Sequence, residues 1–583
     1  MGAGTEPGAR EAGARLAAEL GVPAVVGRLL WARGHREVGA AGRFLEPKLD
    51  QLPDPFGLKG IGEAVARLQR ALEQREAICV YGDYDVDGVT STALLVGVLR
   101  KLAACAPGGG EPARVDFYVP HRLQEGYGLN QEAVRKLSAR GTRLVVTADC
   151  GVTAVAEVDG AARLGIDVVV IDHHTAAQDL PRAVAILNPH QPGCTFPGRE
   201  LAAVGVAFHL LLALRKRLRD AGWFAQGAAG RTEPNLREQL DLVALGTIAD
   251  VVPLTGANRV LVHFGLKELA RGARPGVLAL KSVAQLAGEV SCGDVGFKLG
   301  PRINAAGRLD DASVGVRLLL TGDFAEARRL AEELDRANAE RQELQARIAG
   351  EAIEQAAKTI SQESCSVVVS SPGWHVGVVG IVASRIVERF HRPALVLAED
   401  GGTSKGSGRS VEGFHLYDAL ARCGKVLTRF GGHKHAAGVT LDTDRIGELA
   451  AALEVEARSQ LDPAQLTPRL RIDAGLDSAE ISVDLARQLR RLAPFGVGNP
   501  EPIFLCEPLE AHEVRILPNK RAGAPGHLKL RLGAGELEAI GFGLAEKKVE
   551  EGARLAAAFQ LGVDTWNGSD RLQLKLKDLR AAV

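Results

Sequence analysis

Between Tyr81 and Gly88 the chain places Asp83, Asp85 and Asp87 at alternate positions, three carboxylates in five residues. Like charges this close repel one another, and a bound cation is the ordinary reason to hold them together: carboxylate oxygens are hard ligands suited to Mg²⁺ and Mn²⁺. Two other readings compete at this point. An EF-hand loop also uses alternate Asp, but the twelfth position counted from Asp83 is Leu94, where that loop needs a bidentate Glu. An acidic turn facing solvent would need no ion at all. Three further positions bear on the choice. Asp149 follows the run ending Thr147-Ala148, Asp172-His173-His174 follows the run Val168 to Ile171, and Asp250 ends an apolar helical run within Gly246 to Pro253. Taken singly, the His pair could be a solvated turn. Asp250 could simply close its helix, although a C-terminal Asp opposes the helix dipole.

These residues need elements to bring them together. From Ile78 to about Asn188, short β-branched runs (Ile78 to Tyr81, Val115 to Val119, Leu144 to Thr147, Val168 to Ile171) alternate with helical stretches. Continuous apolar strands separated by helices predict a mostly parallel sheet covered on both faces. Ligands of such a sheet bind beyond the carboxyl ends of its strands. Three strand ends therefore deliver Asp or His to one edge, which favours the cation over the solvated turns. Helices are expected over Arg199 to Leu218 and Leu236 to Ile248.

From Phe324 to Ile360 the chain is rich in Ala, Glu, Leu, Arg and Gln, with no Pro and with Gly only at Gly350. Such strong helix formers predict one helix of roughly 50 Å, suited to bridging two domains. A second α/β unit follows, with a strand Ser366 to Ser370, a helix near Gly377 to Phe390, a strand Ala394 to Ala398 and two Gly-rich loops. From about Leu470, His527 to Leu532 and Arg571 to Lys577 alternate polar and apolar residues, which puts leucines in a core and cations on an open face. A small barrel binding a polyanion fits that pattern, and so does a solvated face that is merely basic.

The bulk numbers exclude little. With 583 residues, several domains are expected. Lys+Arg and Asp+Glu both number 71, so a nucleic-acid partner would have to meet local clusters of cations. The eight cysteines form no C-x-x-C pair, which argues against a zinc ribbon and suits a reducing compartment. No leader pattern or long apolar span is read, so a cytoplasmic protein with no membrane partner is expected. In that setting Asn567-Gly568 reads as a hairpin turn and not as part of a sequon. There is no P-loop motif and no repeat with a period of 20–50 residues.

The motifs YGDYDVDG, TADCG, DHH and GTIADVVPL resemble those of the DHH phosphoesterase superfamily, and their wording is similar to its RecJ-type exonucleases. The resemblance continues through FLEPKLDQLPDPF, PHRLQEGYG, GPRINAAGRL, GWHVGVVGIVASR, GSGRS, GGHKHAAG, LAPFGVGNPEP and WNGSDRLQLKLKD, nearly the whole chain. It implies an α/β fold: a parallel-sheet DHH catalytic domain (50–320) behind an N-terminal helical segment (1–49). A long connecting helix (321–360), a smaller α/β DHH-associated domain (361–460) and an OB-like β-barrel (465–583) follow.

It also implies two divalent ions, Mn²⁺ or Mg²⁺, one held by Asp87, Asp149, His173 and Asp250. The other would use Asp83 and Asp85, with Asp149 bridging. His174 would contact the scissile phosphate and act with Asp149 in catalysis. Arg122, Ser407 and Arg409 would grip a 5′ phosphate, and Arg302, Asn304, His433 and His435 would face the substrate. Phe542 and Trp566 are the aromatics expected to help the barrel hold DNA.

The implied activity is a monomeric, single-stranded-DNA-specific 5′→3′ exonuclease in recombination and repair, working beside a helicase and a single-strand-binding protein. A DHH-family phosphodiesterase of small substrates (pyrophosphate, short oligonucleotides, cyclic dinucleotides) would share the metal ligands but not the barrel. A non-catalytic single-stranded-DNA-binding scaffold would need no converging Asp and His residues.

Overall fold

In the computed structural model the described residues are 8–122, 124–225, 231–309, 311–519, 525–566 and 569–582. The β-branched runs of the first half form β1 (Ile78–Gly82), β2 (Val115–Tyr118), β3 (Leu144–Ala148) and β4 (Asp167–Ile171). A further short strand, β5 (Ala185–Leu187), joins them, and all five are parallel in the order β2-β1-β3-β4-β5. Alternation along β1 serves both faces. Ile78 and Val80 enter a core with the helices Val86–Ala104 and Ala203–Asp220, while Cys79 and Tyr81 enter a core with Gln131–Ala139 and Val155–Arg163.

The register makes three strands end level. Asp83 N–H donates to Ala148 O (3.1 Å), Asp149 N–H to Ile171 O (3.0 Å) and Asp172 N–H to Leu187 O (3.1 Å). Each acidic residue is therefore the step that carries the hydrogen-bond ladder one residue past a strand end.

The helices expected over Arg199 to Leu218 and Leu236 to Ile248 start later. Ala203–Asp220 begins where the chain turns its first N–H groups onto Asp87, and Leu236–Gln239 is a tight 3₁₀ turn ahead of the helix Leu240–Ala249. The long helix spans Phe324–Thr359. Its first half buries Ala327, Leu330, Ala331 and Leu334 in the catalytic core, and its second half buries Ile348, Ala352 and Ala356 against the next unit. One rigid element thus belongs to two cores.

The second unit is a mixed sheet of β6 (Val367–Ser371), β7 (Ala394–Asp400), β8 (Thr403–Arg409), β9 (Arg429–Gly432) and β10 (Ala436–Asp442), in the order β6-β7-β8-β10-β9. The two segments expected as Gly-rich loops are strands instead: Gly406 and Gly408 lie inside β8, and Gly431 to Gly438 form the β9–β10 hairpin. A Cβ on Gly406 would stand 2.3 Å from Leu397 Cδ2, and one on Gly408 2.6 Å from Leu395 Cδ2, so these glycines permit close packing within a strand.

The third unit contains β11 (Ala474–Gly475), β12 (Phe504–Leu517), β13 (His527–Leu532), β14 (Leu537–Gly541), β15 (Arg554–Trp566) and β16 (Ser569–Ala581). Pairing of β12 with β15 closes the order β11-β12-β13-β14-β16-β15 into an OB-like barrel. Leu528, Leu530, Leu532, Leu574 and Leu576 fill it, while Arg531, Lys575 and Lys577 stay exposed. Asn567-Gly568 lies outside the described residues; the strands on either side pair antiparallel with Trp566 opposite Ser569.

The N-terminal helices Ala9–Leu20, Ala24–Ala32 and Val38–Leu45 share this barrel's core through Leu16, Val26, Leu29 and Leu30. Among the described residues no helix is long and apolar enough to cross a membrane.

Candidate metal centre and substrate contacts

The loop after β1 is built for crowded carboxylates. A Cβ on Gly82 would meet Thr92 Oγ1 at 1.9 Å and one on Gly88 would meet the Asp83 backbone at 2.6 Å, so only glycine lets the chain fold back this tightly. Asp85 caps the helix Val86–Ala104, accepting from Gly88 N–H at 3.0 Å. Asp87, inside that first turn, accepts from Ala203 N–H (2.7 Å) and Val204 N–H (2.9 Å), the start of the facing helix. Asp149 stands in the left-handed region (φ 67°), a strained conformation for a residue with a side chain and one that recurs at functional sites. Asp250 caps the C-terminal end of Leu240–Ala249.

Ligand atoms of Asp83, Asp85 and Asp149 lie within 4.8 Å of one another, and so do those of Asp87, His173 and Asp250. His173 Nε2 is 3.3 Å from Asp149 Oδ1, 3.5 Å from Asp250 Oδ2 and 4.0 Å from Asp87 Oδ2. Asp149 thus touches both groups. The geometry brings together Asp83, Asp85, Asp87, Asp149, His173, His174 and Asp250, in two clusters bridged where Asp149 meets His173, with His174 grouped on that same pair.

The electrostatics of this cluster are those of a cation site. Asp83 Oδ1, Asp149 Oδ1, His173 Nε2 and Asp250 Oδ2 are buried without a hydrogen-bond partner, an arrangement that is costly unless something else satisfies them. Burial, then the charge of Asp85, pushes the Asp87 carboxyl up to about 7. Burial, then Asp87, pushes Asp250 up to about 8, and Asp83 and Asp149 are raised well above the carboxylate range for the same kinds of reason. Burial lowers His173 to about 4, leaving the neutral imidazole that a metal requires. Two divalent ions fit this donor set.

Asp172, unremarked as a site residue in the sequence, organises the second histidine. Its Oδ1 accepts from the backbone N–H groups of His173 (2.8 Å) and His174 (3.0 Å) and lies 2.7 Å from His174 Nδ1; its Oδ2 accepts from Val152 N–H (2.9 Å). Burial opposes charge on His174, but the hydrogen bond and charge of Asp172 outweigh it and raise that group to about 9. Tyr127 Oη donates to Asp149 O (3.0 Å) and lies 3.2 Å from His174 Nδ1. With Nδ1 held, Nε2 is the nitrogen turned to other work.

The remaining expected contacts fall in different places. Arg122 stacks on Tyr84, its guanidinium carbon 4.8 Å from the ring centroid, and its charge bears on Asp83. Arg302 binds Asp335 on the long helix (2.8 Å) and Lys298 O (2.7 Å), which ties two helices together. Asn304, two residues on, lines an apolar cavity beside Asp250. Arg409 donates to Ser407 Oγ (2.9 Å), and a Cβ on Gly380 would meet both side chains at 3.1 Å, so the pair faces the first turns of the helix Val376–Phe390. Arg409 also donates to Gly408 O (2.8 Å), which holds the guanidinium beside that hydroxyl. His433 and His435 are exposed on the β9–β10 turn. Phe542 is 62% exposed, as a stacking residue must be, and the side chain of Trp566 lies outside the described residues.

Comparison with known proteins matches three stretches of the chain to family models: the DHH family N-terminal domain (77–247), the DHHA1 domain (364–458) and the RecJ OB domain (472–578). The chain is 43% identical over 577 residues to the single-stranded-DNA-specific exonuclease RecJ of Dickeya dadantii, covering 96% of each. To the protein of that name from Escherichia coli it is 40% identical over 582 residues, covering 97% of each. Among solved structures, RecJ in complex with Mn²⁺ from Thermus thermophilus matches with a TM-score of 0.81 at 34% identity, over 98% of this chain and 78% of that one. RecJ in complex with Mg²⁺ from the same organism gives a TM-score of 0.75 at 32% identity, over 98% and 77%.

Proposed function

Since the chain belongs to the RecJ family of single-stranded-DNA-specific exonucleases, we propose that it hydrolyses single-stranded DNA from the 5′ end to mononucleotides. The observation that carries this reading is the pair of carboxylate and histidine clusters bridged where Asp149 meets His173, with four buried ligand atoms left unsatisfied. Asp87, Asp149, His173 and Asp250 would hold one divalent ion; Asp83 and Asp85 would hold the other, with Asp149 between them. When bound, two such ions supply Lewis-acid activation of water and neutralise charge on the phosphodiester.

The chain's own residues do the rest. Asp172 fixes His174 so that Nε2 can donate to a phosphate oxygen or to the departing oxygen, and Tyr127 braces the same ring and the Asp149 backbone. Arg122, Ser407 and Arg409 would take the terminal phosphate. A 5′ phosphate anchored there would set the first phosphodiester over the clusters, and the polarity would follow from that grip. Asn304, His433 and His435 would meet the strand further along, while the described contacts of Arg302 favour a bracing part for it. The barrel, with cations outside and leucines inside, would hold the incoming single strand.

Domain limits of 50–320, 361–460 and 465–583 are supported by the family-model matches that fall inside them. A part in recombination and repair, beside a helicase and a single-strand-binding protein, agrees with this chemistry: such a nuclease needs another protein to open duplex for it. A monomer suffices, since the described clusters are complete within one chain. Cytoplasmic action is supported by eight cysteines that are all free thiols.

Incubation with Mn²⁺ and equal amounts of a single strand and of its duplex tests the reading. Release of acid-soluble nucleotides from the strand alone, abolished by EDTA, is expected. Efficient cleavage of cyclic dinucleotides with the strand left intact would move the chain to the small-substrate branch.

A further inference from the structure

A strongly apolar recess, lined by none of the proposed metal ligands, begins at the residues on either side of Asp250. A cavity of about 540 Å³ opens between the catalytic domain and the segment leading into the barrel. One wall is the chain on either side of Asp250: Ala249 before it and Val251 after it. Val251 is 64% exposed and stands at φ 62°, a conformation that β-branched residues avoid and that something must compensate. The second wall is Phe297. It sits in the π-helical turn Val295–Leu299, where Val295 and Leu299 are buried and the wide turn throws Phe297 outward to 85% exposure. Val497 supplies the third wall, on a loop held to the catalytic domain by Leu254 N–H donating to Val497 O at 2.8 Å.

The geometry points to a nucleobase-binding subsite, with Phe297 as a stacking platform for a base of the single strand beside the metal centre. The inference rests on the nuclease reading given above and adds a contact to it. Three observations select a base as the occupant. Ala249 and Val251 flank Asp250 in the chain, so an occupant of the cavity touches both chain neighbours of a proposed metal ligand. The cavity holds no cation to seat a phosphate; its polar side chains are Asn304 and Glu501, with Cys292, and the first two suit the hydrogen-bonding edges of bases. A smaller recess of about 140 Å³ continues from it through the shared Phe495 and Glu501 and carries Arg490 and Lys575, the charges that a backbone requires. Apolar floor near the cluster and cations toward the barrel together make a track for one strand.

The test is a cycle of two strands and three proteins, read as anisotropy in chelator so that no strand is consumed. The full chain, Phe297→Ala and Phe297→Trp are titrated with labelled oligothymidylate and with an abasic strand of equal length. Phe297→Ala should bind oligothymidylate about tenfold more weakly, the size of one lost stack, and the abasic strand within about twofold of the parent. Phe297→Trp should restore the difference. Equal losses on both strands, or no loss on either, would overturn the inference and leave the apolar face to a protein partner. Degradation of single-stranded DNA by the parent chain is scored separately, so a failed nuclease reading and a failed base subsite give different results.

Discussion

His174 depends on Asp172 more than on any cation ligand. Removing that negative charge while keeping the shape, as in Asp172→Asn, leaves every proposed ligand in place and unlocks only the ring. Single-turnover hydrolysis should slow by about 10- to 100-fold, with strand binding in chelator unchanged; an unaffected rate would remove His174 from the chemistry. The carboxylates give a second expectation. Burial and neighbouring carboxylates raise Asp87 to about 7 and Asp250 to about 8 without a cation, so at neutral pH Asp250 is mostly protonated and Asp87 partly so, and an ion must displace those protons. Mn²⁺ affinity should therefore tighten as pH rises from roughly 6 to 9, with protons released on binding, measurable by calorimetry in buffers of different ionisation enthalpy. The same sign governs stability. A carboxyl raised above its unfolded value disfavours the cation-free fold progressively as pH rises, so the gain in melting temperature on adding Mn²⁺ should be larger at high pH. At this scale the sequence disclosed the residues that face a ligand, because Asp and His at strand ends have few other uses. It hid Asp172 and Tyr127 as functional residues, whose work is to touch another side chain, and it gave Arg302 a substrate where the fold gives it Asp335.

Helices and strands impose the next constraint through closeness. Gly246 lies in the helix that ends at Asp250, and a Cβ there would stand 2.4 Å from Thr90 Oγ1 and 2.8 Å from Asp87 Oδ1. Glycine in a helix is ordinarily a liability, so Gly350→Ala in the long helix, where a Cβ meets nothing within 4 Å, should stabilise the chain by about 0.5–1 kcal/mol. Gly246→Ala should do the reverse, costing about 1–3 kcal/mol and weakening Mn²⁺ binding; thermal unfolding with and without Mn²⁺ separates the two effects. The β-branched runs and the Ala- and Glu-rich stretch were legible as strands and a helix because their patterns are long and uninterrupted. Gly406 and Gly408 were not, since a glycine means a turn unless the strand packed against it is already known.

For the whole molecule, the catalytic domain, the N-terminal helices and the barrel meet at one buried cation. Arg259 donates to Phe44 O (2.9 Å), Leu492 O (2.9 Å) and Arg491 O (3.2 Å), and stacks on Phe44 with its guanidinium carbon 3.7 Å from the ring centroid. Arg33 adds contacts to Asn499 and Pro500. Arg259→Ala should cost about 3 kcal/mol and expose the segment before the barrel to protease. An unchanged digestion pattern would mean that the barrel is held by its apolar contacts alone. That the first helices pack on the last domain was beyond sequence reading, because their apolar faces carry no address. The central claim concerns the two clusters and the direction of attack. It is tested most directly by following a single strand labelled at its 3′ end during digestion with Mn²⁺, using the parent chain and Asp149→Ala. Progressive shortening of the labelled strand, absent in the variant, is the expected result. Immediate release of labelled mononucleotide, or undiminished digestion by Asp149→Ala, would contradict it.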